Sequence, residues 1–467
     1  MKRVISFCVL LCAAAGFLMG AHRTVDGLQD DIFVTVHHSY GDPAWVEGRT
    51  FRRLDTCGEH MWWYTDHTPG DPGETKAQFH FSQEGHGFFE PTRGWLDFSL
   101  GVPGGMGMST SGGNGLEFSD EGIGRLVNEV AERTLPGEVR EESVLLSDYF
   151  DYYPLDYYAN IQTEEYYLDE MYDTLRDEGT MVDWSESSAS SYDMWVEYFR
   201  FPVVSGEKMK ITLGKDGAGE IRELYLNMEG SEAGAEVEFS TVMVEKGMYF
   251  SPVFQDWEGN PLHTGEYVYG YGLYYIPLRE LGYAESTPPW MTFDFEGLEM
   301  VYSLESTDRL LAMETSADGD FLHLLVNQGG KYVYCLFDIQ SRELVSRTQI
   351  METDADARWA FYPEQELLYL LAGGKMALVH TGVDSRTAFL TPWPEEAGWV
   401  IPEAVCYEDG VLYGLELTWH EEEGRGVCMI ACNEEGLQYM GSYFTNLNST
   451  GYHSAWLSLE WAEFVTE

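Results

Sequence analysis

A seven-residue pattern occurs three times toward the C-terminus of this chain. Phe321-Leu-His-Leu-Leu-Val-Asn returns as Leu367-Leu-Tyr-Leu-Leu-Ala-Gly and again as Val411-Leu-Tyr-Gly-Leu-Glu-Leu, 46 and then 44 residues on. Two other landmarks keep step. Gly329-Gly330-Lys331 returns as Gly373-Gly374-Lys375, and Ser341-Arg342 as Ser385-Arg386, each 44 residues later. A period of about 40–50 residues filled with short strands marks the blades of a β-propeller. The recurrence sets an architecture and leaves the activity open.

One unit, read through, predicts four strands separated by turns. The first two flank Ala317-Asp-Gly-Asp, the next turn is Gln328-Gly-Gly-Lys, and a fourth strand starts near Leu344. The units from Trp359 and from Ala404 repeat this plan, with period-2 or fully apolar runs between turn residues. Upstream the rhythm loosens. Segments near 31–37, 50–55, 61–65 and 78–82 read as one early blade, 198–204, 208–213 and 220–227 as another, and 241–276 as a third with a hairpin turn at Asp256-Trp-Glu-Gly-Asn. At about 45 residues per blade the chain has room for seven or eight four-stranded blades. Residues 455–465 are expected to complete the first blade, which would remove an open sheet edge. The fold class expected is therefore all-β, a propeller with a small helical insertion and an N-terminal apolar helix.

Residues 101–198 break the pattern. A glycine-rich stretch after Trp95–Leu100 leads to a helix opening at Ser119, with Ile123, Leu126, Val127 and Val130 on one apolar face and Gly137 just past its end. A second helix is expected where Leu168, Met171, Tyr172 and Leu175 recur at helical spacing. A strand, glycines and a helix invite a phosphate-binding reading. No Lys-Ser/Thr follows the glycines, however, and Glu117, Asp120 and Glu121 place negative charge where the anion would sit.

The first 21 residues stand apart. Lys2 and Arg3 precede an 18-residue run, Val4 to Ala21, with no charged side chain. A signal peptide would be cut after a shorter apolar core, for instance near Ala13-Ala14-Ala15. An anchor would span the bilayer with about 17–25 residues. Met19 is a poor residue three places before a cut at His22, which favours the anchor; the bulk is exported under either reading.

Beyond this segment the remaining residues carry two fewer positive charges, so the net charge of −52 becomes −54. Such a surface repels phosphate and lipid headgroups, which excludes nucleic acid and peripheral membrane binding as expected partners. A basic partner or cations remain compatible with it. The five cysteines past Cys12 (Cys57, Cys335, Cys406, Cys428 and Cys432) form no disulfide framework. Cys428 and Cys432 are about 13 Å apart along one strand, too far to bridge. They read as small buried apolar residues, and no zinc spacing accompanies them.

No catalytic residue can be named. The early histidines, His37-His38, His60, His67, His80 and His86, lack metal spacing, and carboxylates are too numerous to single out a pair. Asp318-Gly-Asp320 and Asp354-Ala-Asp356 fall short of a calcium loop and read as turns. Ser316-Ala-Asp-Gly-Asp-Phe321 fails as a sialidase Asp-box, since its glycine comes one place early and no tryptophan follows. No cofactor motif is present. The strongest binding signal is aromatic: ten tyrosines lie between Tyr149 and Tyr198, mixed with carboxylates. Tyr152, Tyr153, Tyr157, Tyr158, Trp184 and Trp195 are the candidate contact surface, because exposed aromatics beside carboxylates suit sugar stacking or peptide contact. The competing reading packs this segment on the propeller.

The N-terminal part resembles a group of uncharacterised exported bacterial proteins of anaerobic gut type. The likeness rests on the basic-apolar start ending near His22-Arg23, on Tyr40-Gly-Asp-Pro-Ala44, Glu47-Gly48 and Thr50, and on Trp62-Trp-Tyr-Thr65 with Gln78-Phe-His-Phe81. It implies export and an antiparallel β ectodomain, and no activity. The C-terminal units separately resemble quinoprotein-like or WD40-like propellers, without Gly-His or Trp-Asp signatures. The function expected is a non-enzymatic, membrane-tethered module that binds an extracellular protein or carbohydrate. The alternative is a glycan hydrolase or lyase acting from the central funnel.

Overall fold

A computed structural model describes residues 16–17, 20, 29, 31–58, 60–82, 95–101, 105–110, 115–120, 122–163, 166–172, 193–203, 205–229, 235–256, 270–282, 289–305, 307–449 and 457–465. The chain starts with strands β1 (Val34–Gly41), β2 (Phe51–Cys57), β3 (Met61–Thr68) and β4 (Glu74–Phe81). Next come β5 (Trp95–Gly101), β6 (Gly105–Ser109), helix α1 (Gly122–Arg133), β7 (Val139–Leu145), β8 (Asp156–Gln162), β9 (Tyr167–Tyr172), β10 (Lys208–Lys215) and β11 (Ile221–Glu229). A meander follows through β12 (Ala235–Val244), β13 (Gly247–Asp256), β14 (Gly272–Glu280), β15 (Met291–Phe293) and β16 (Glu299–Ser303). Three regular units are β17 to β20 (Asp308–Thr315, Phe321–Gln328, Lys331–Asp338, Leu344–Glu352), β21 to β24 (Ala357–Tyr362, Leu367–Ala372, Lys375–His380, Arg386–Pro392) and β25 to β28 (Ala404–Glu408, Val411–His420, Gly424–Asn433, Gly436–Thr445). The last strand is β29 (Leu457–Phe464).

The described residues form seven antiparallel sheets. In strand order these are sheet I (β29-β2-β3-β4), II (β5-β8-β9), III (β6-β11-β10-β7), IV (β12-β13-β14, with β15 and β16 on β14), V (β17 to β20), VI (β21 to β24) and VII (β25-β26-β27-β28-β1). The protein is thus all-β with many small sheets and few helices, an organisation consistent with a propeller-like fold. The sheets hold three to five strands each, so the expected uniform four-stranded unit describes only some of them. The expected N-terminal apolar helix falls on residues outside the described set. Among the described residues, no helix is long and apolar enough to cross a membrane.

Sheet V shows why the repeated strands are apolar without alternation. Leu322, Leu324 and Val326 pack into the core shared with sheet IV, with Val333, Cys335 and Phe337 beside them. Leu325, Tyr332, Tyr334 and Leu336 face the core shared with sheet VI. A strand buried on both faces reads as one apolar run, and each such side chain adds about 1.5–3 kcal/mol of burial free energy. Further cores join VI to VII, VII to I, and II with III and IV.

Tyrosine hydroxyls tie neighbouring sheets together across these cores. Tyr249 of sheet IV donates to the Ile339 carbonyl at 3.0 Å, and Tyr332 of V donates to Ala355 at 2.7 Å, just before sheet VI. Tyr369 of VI donates to Val400 at 3.0 Å and Tyr362 to Pro402, both on the approach to VII. Each bond lets a wide apolar ring fill the interface while its polar tip is satisfied.

Several expectations change. The first strand does not join the early strands: β1 pairs with β28, from Val34 opposite Thr445 to Gly41 opposite Tyr439. Its place in sheet I goes to β29, with Phe51 opposite Phe464 and Arg53 opposite Ala462. The two chain ends therefore exchange strands between sheets VII and I. The segment 167–172 is a strand where a helix was expected, because Leu168 and Glu170 turn inward at period 2 while Asp169 stays exposed. Residues 199–203 contribute one isolated bridge, Tyr152 to Pro202, in place of a full strand. The hairpin expected at Asp256-Trp-Glu-Gly-Asn lies largely outside the described residues. Helix α1 buries Ile123, Leu126, Val127 and Val130, as its spacing predicts.

Candidate functional site

Four hairpin turns from three sheets enclose an open cleft of about 880 Å³. The β8–β9 turn supplies Thr163 and Tyr166, and the β12–β13 turn supplies Glu245 and Lys246. The β17–β18 and β19–β20 turns of sheet V supply Asp318, Asp320, Asp338 and Arg342. Four carboxylates therefore face two cations.

The acidic turn is a built element. Ser316 Oγ donates to Asp318 Oδ1 at 2.5 Å, the Asp320 amide donates to the same oxygen at 3.1 Å, and the Phe321 amide donates to Ser316 Oγ at 2.9 Å. The Ser316 hydroxyl, followed by the Asp320 amide, holds the Asp318 carboxyl below the usual carboxylate range. Asp338 is held low in the same way by the Ser341 amide, which donates to Oδ1 at 2.6 Å. Both groups are kept as anions by donors aimed at them.

Arg342 is spoken for. It adopts φ 60° at the turn, its guanidinium lies 4.0 Å from the centre of the Tyr275 ring, and it bonds Glu299. The Tyr275 hydroxyl donates to the Lys246 carbonyl at 3.3 Å, which fixes the β12–β13 turn against β14. Burial raises the Tyr275 phenol and pushes Tyr249 beneath it up to about 12. Neither phenol ionises near neutral pH, so the two tyrosines add no negative charge beside Arg342.

The aromatic candidates scatter. Tyr153, Tyr157 and Trp195 are buried, at 3%, 1% and 0% exposure, in the core of sheets II to IV. Tyr157 donates to Glu170 Oε2 at 3.2 Å, and Thr292 donates to the other oxygen at 2.6 Å, which links sheets II and IV. Burial inside this core removes the three rings from any contact surface. Tyr158 is half-buried and accepts from Asn160 at 3.0 Å. Tyr152 is exposed, with Arg200 5.8 Å from its ring centre. Trp184 lies outside the described residues. The six residues do not form one surface.

Among the described residues, no group of three or more His, Cys, Asp or Glu could hold a metal ion. The five cysteines Cys57, Cys335, Cys406, Cys428 and Cys432 are free thiols. Cys335, Cys428 and Cys432 are buried, and burial pushes the Cys428 thiol up to about 12. Asp318 and Asp320 were legible as a turn. Their meeting with Glu245, Lys246 and Arg342 was not, because it depends on how sheets IV and V stand together.

No family model matches this sequence, and no curated protein matches it. Among solved structures, a putative 6-phosphogluconolactonase from Bacteroides uniformis is similar at 8% identity over 90% of this chain and 100% of its own, with a TM-score of 0.27. A prolyl endopeptidase shows 10% identity over 87% of this chain and 42% of its own, TM-score 0.23. Prolyl oligopeptidase B from Galerina marginata shows 9% over 86% and 47%, TM-score 0.21. Likeness at this level assigns no activity.

Proposed function

We propose that this protein is a non-enzymatic, exported binding module, tethered through its N-terminal segment, whose sheets act as propeller blades and whose cleft grips a basic segment of an extracellular protein. In this reading sheets I, II, IV, V, VI and VII are the blades and sheet III with α1 is an insertion. That is fewer blades than the seven or eight expected from chain length.

The observation that carries the proposal is the state of the cleft carboxylates. A glycosidase needs one carboxyl raised to act as an acid. Asp318 and Asp338 are instead held low, with hydroxyl and amide donors pinning them as anions. Fixed anions around a cleft whose arginine is already paired suit a ligand that brings its own positive charge. The net charge of −52 adds long-range attraction for such a partner.

Titration of the purified full chain with a lysine- and arginine-rich octapeptide, by calorimetry, tests this. Saturable binding that weakens with salt is expected, and the Asp318→Asn/Asp338→Asn variant should lose about five- to tenfold in affinity, since exposed pairs contribute under about 1 kcal/mol each. Equal binding of an acidic octapeptide, or an unchanged affinity in the variant, refutes the reading.

A further inference from the structure

A second cavity lies where the chain ends exchange strands. Its volume is about 630 Å³, between β1, the turn after it, the β3–β4 turn and β28. The apolar part of its wall includes Phe33, Val36, Pro43 and Tyr443. The polar part is acceptor-rich: Asp42, Glu47 and Asp71 line it, and among the described residues no Lys, Arg, Asn or Gln does.

His67 also lines this cavity and is 4% exposed. Its Nδ1 is bonded to Thr75 Oγ1 at 2.9 Å, and the rings of Phe51 and Tyr443 stand 5.6 Å and 5.4 Å from it. Its Nε2 is buried and has no protein partner. A buried polar atom in that state costs about 1–3 kcal/mol. Beside it His38 Nδ1, Tyr439 OH and Tyr443 OH form a chain of 3.0 Å and 2.8 Å contacts, of which His38 and Tyr443 line the cavity. Hydroxyls in such a chain can turn to suit what they meet.

We propose that this cavity binds a small organic amine, an ammonium group carried on an apolar carbon body, with its charge against Glu47 and Asp71 and its body along Phe33, Val36 and Tyr443. The chemistry selects this class. A carboxylate or phosphate would meet three acidic groups and no cation. A bare divalent metal would need closely grouped ligands, and no such group exists among the described residues. Burial holds the His67 imidazole neutral, with its pKa lowered to about 4, so it adds no repulsion to an ammonium. The site is separate from the acidic cleft and does not depend on the reading given to that cleft.

The test uses the full chain, 1,4-diaminobutane as the probe, 1,4-butanediol as its uncharged counterpart, and magnesium chloride at matched ionic strength. Calorimetry and thermal unfolding should show saturable binding and stabilisation by the diamine alone. Glu47→Gln/Asp71→Asn should weaken binding tenfold or more, whereas Glu396→Gln, an exposed carboxylate that lines neither cavity, should leave it unchanged. The His67 ring resonances should move on titration, a readout that requires no substitution. The proposal is overturned if magnesium or the diol stabilises equally, if the His67 signals stay still, or if the double variant binds as well as the native chain.

Discussion

Removing one partner of the Arg53–Asp55 pair should be the most damaging single polar change in sheet I. Both residues lie on β2, two apart on one face, and each is only 1% exposed. Arg53 Nε donates to Asp55 Oδ2 at 2.8 Å and Nη2 to Oδ1 at 2.5 Å, a two-pronged contact. The remaining guanidinium contact is weak, Nη2 to the Arg425 carbonyl at 3.4 Å, and Nη1 has no protein partner. Asp55→Ala therefore strands a guanidinium between sheets I and VII with one long hydrogen bond. Breaking such a pair costs about 3–5 kcal/mol, while replacing both partners by apolar residues is often neutral or stabilising. Asp55→Ala should lower the urea midpoint by an amount equivalent to 3–5 kcal/mol, and Arg53→Met/Asp55→Leu should recover most of it. Tryptophan fluorescence and far-UV circular dichroism must give coincident transitions for the comparison to hold. If the double variant is as unstable as Asp55→Ala, the stranded charge is not the cause and the reasoning fails.

Two further outcomes are expected. Burial lowers His67 and His323 to about 4, against about 6.5 in the unfolded chain. The unfolded state thus binds more protons between these values, and stability present above pH 6.5 is lost as pH falls toward 4, roughly 3 kcal/mol per histidine. Urea midpoints measured from pH 7 to 4 should fall less steeply in His67→Phe than in the native chain; identical slopes would contradict the assignment. Gly41 ends β1 at φ 73°, where an added Cβ would stand 1.8 Å from the Gln438 carbonyl oxygen. Gly41→Ala should peel the end of β1 from β28, read as faster amide exchange in residues 34–41, and unchanged protection there would show that the strand accommodates the methyl group.

What the sequence disclosed follows from what the repeat encodes. Strands β17 to β28 were legible because both faces of sheets V, VI and VII are buried, so apolar runs and glycine turns mark them plainly. Sheet I was half legible: the strand rhythm around Trp62 and Gln78 is visible and the last strand was expected to join it, as Phe464 opposite Phe51 does, but no local pattern announces that β1 leaves for β28. The aromatic segment misled for a related reason. Tyr153 and Tyr157 look exposed when written as doublets, yet a strand sends neighbours to opposite faces, and Tyr157 goes inward to meet Glu170.

The landmark Ser-Arg shows where repetition stops being informative. Arg342 sits at a left-handed turn and reaches Tyr275 and Glu299 of the preceding sheet, so it becomes part of a cleft wall. Arg386, 44 residues on, starts β24 opposite His380 and lowers that imidazole's pKa after burial has already done so. The repeated Ser-Arg thus falls on a left-handed turn in one unit and on the first residue of a strand in the next, and its chemistry follows what the neighbouring elements present. A site in a protein of this kind has to be sought between units, where the 44-residue period says nothing.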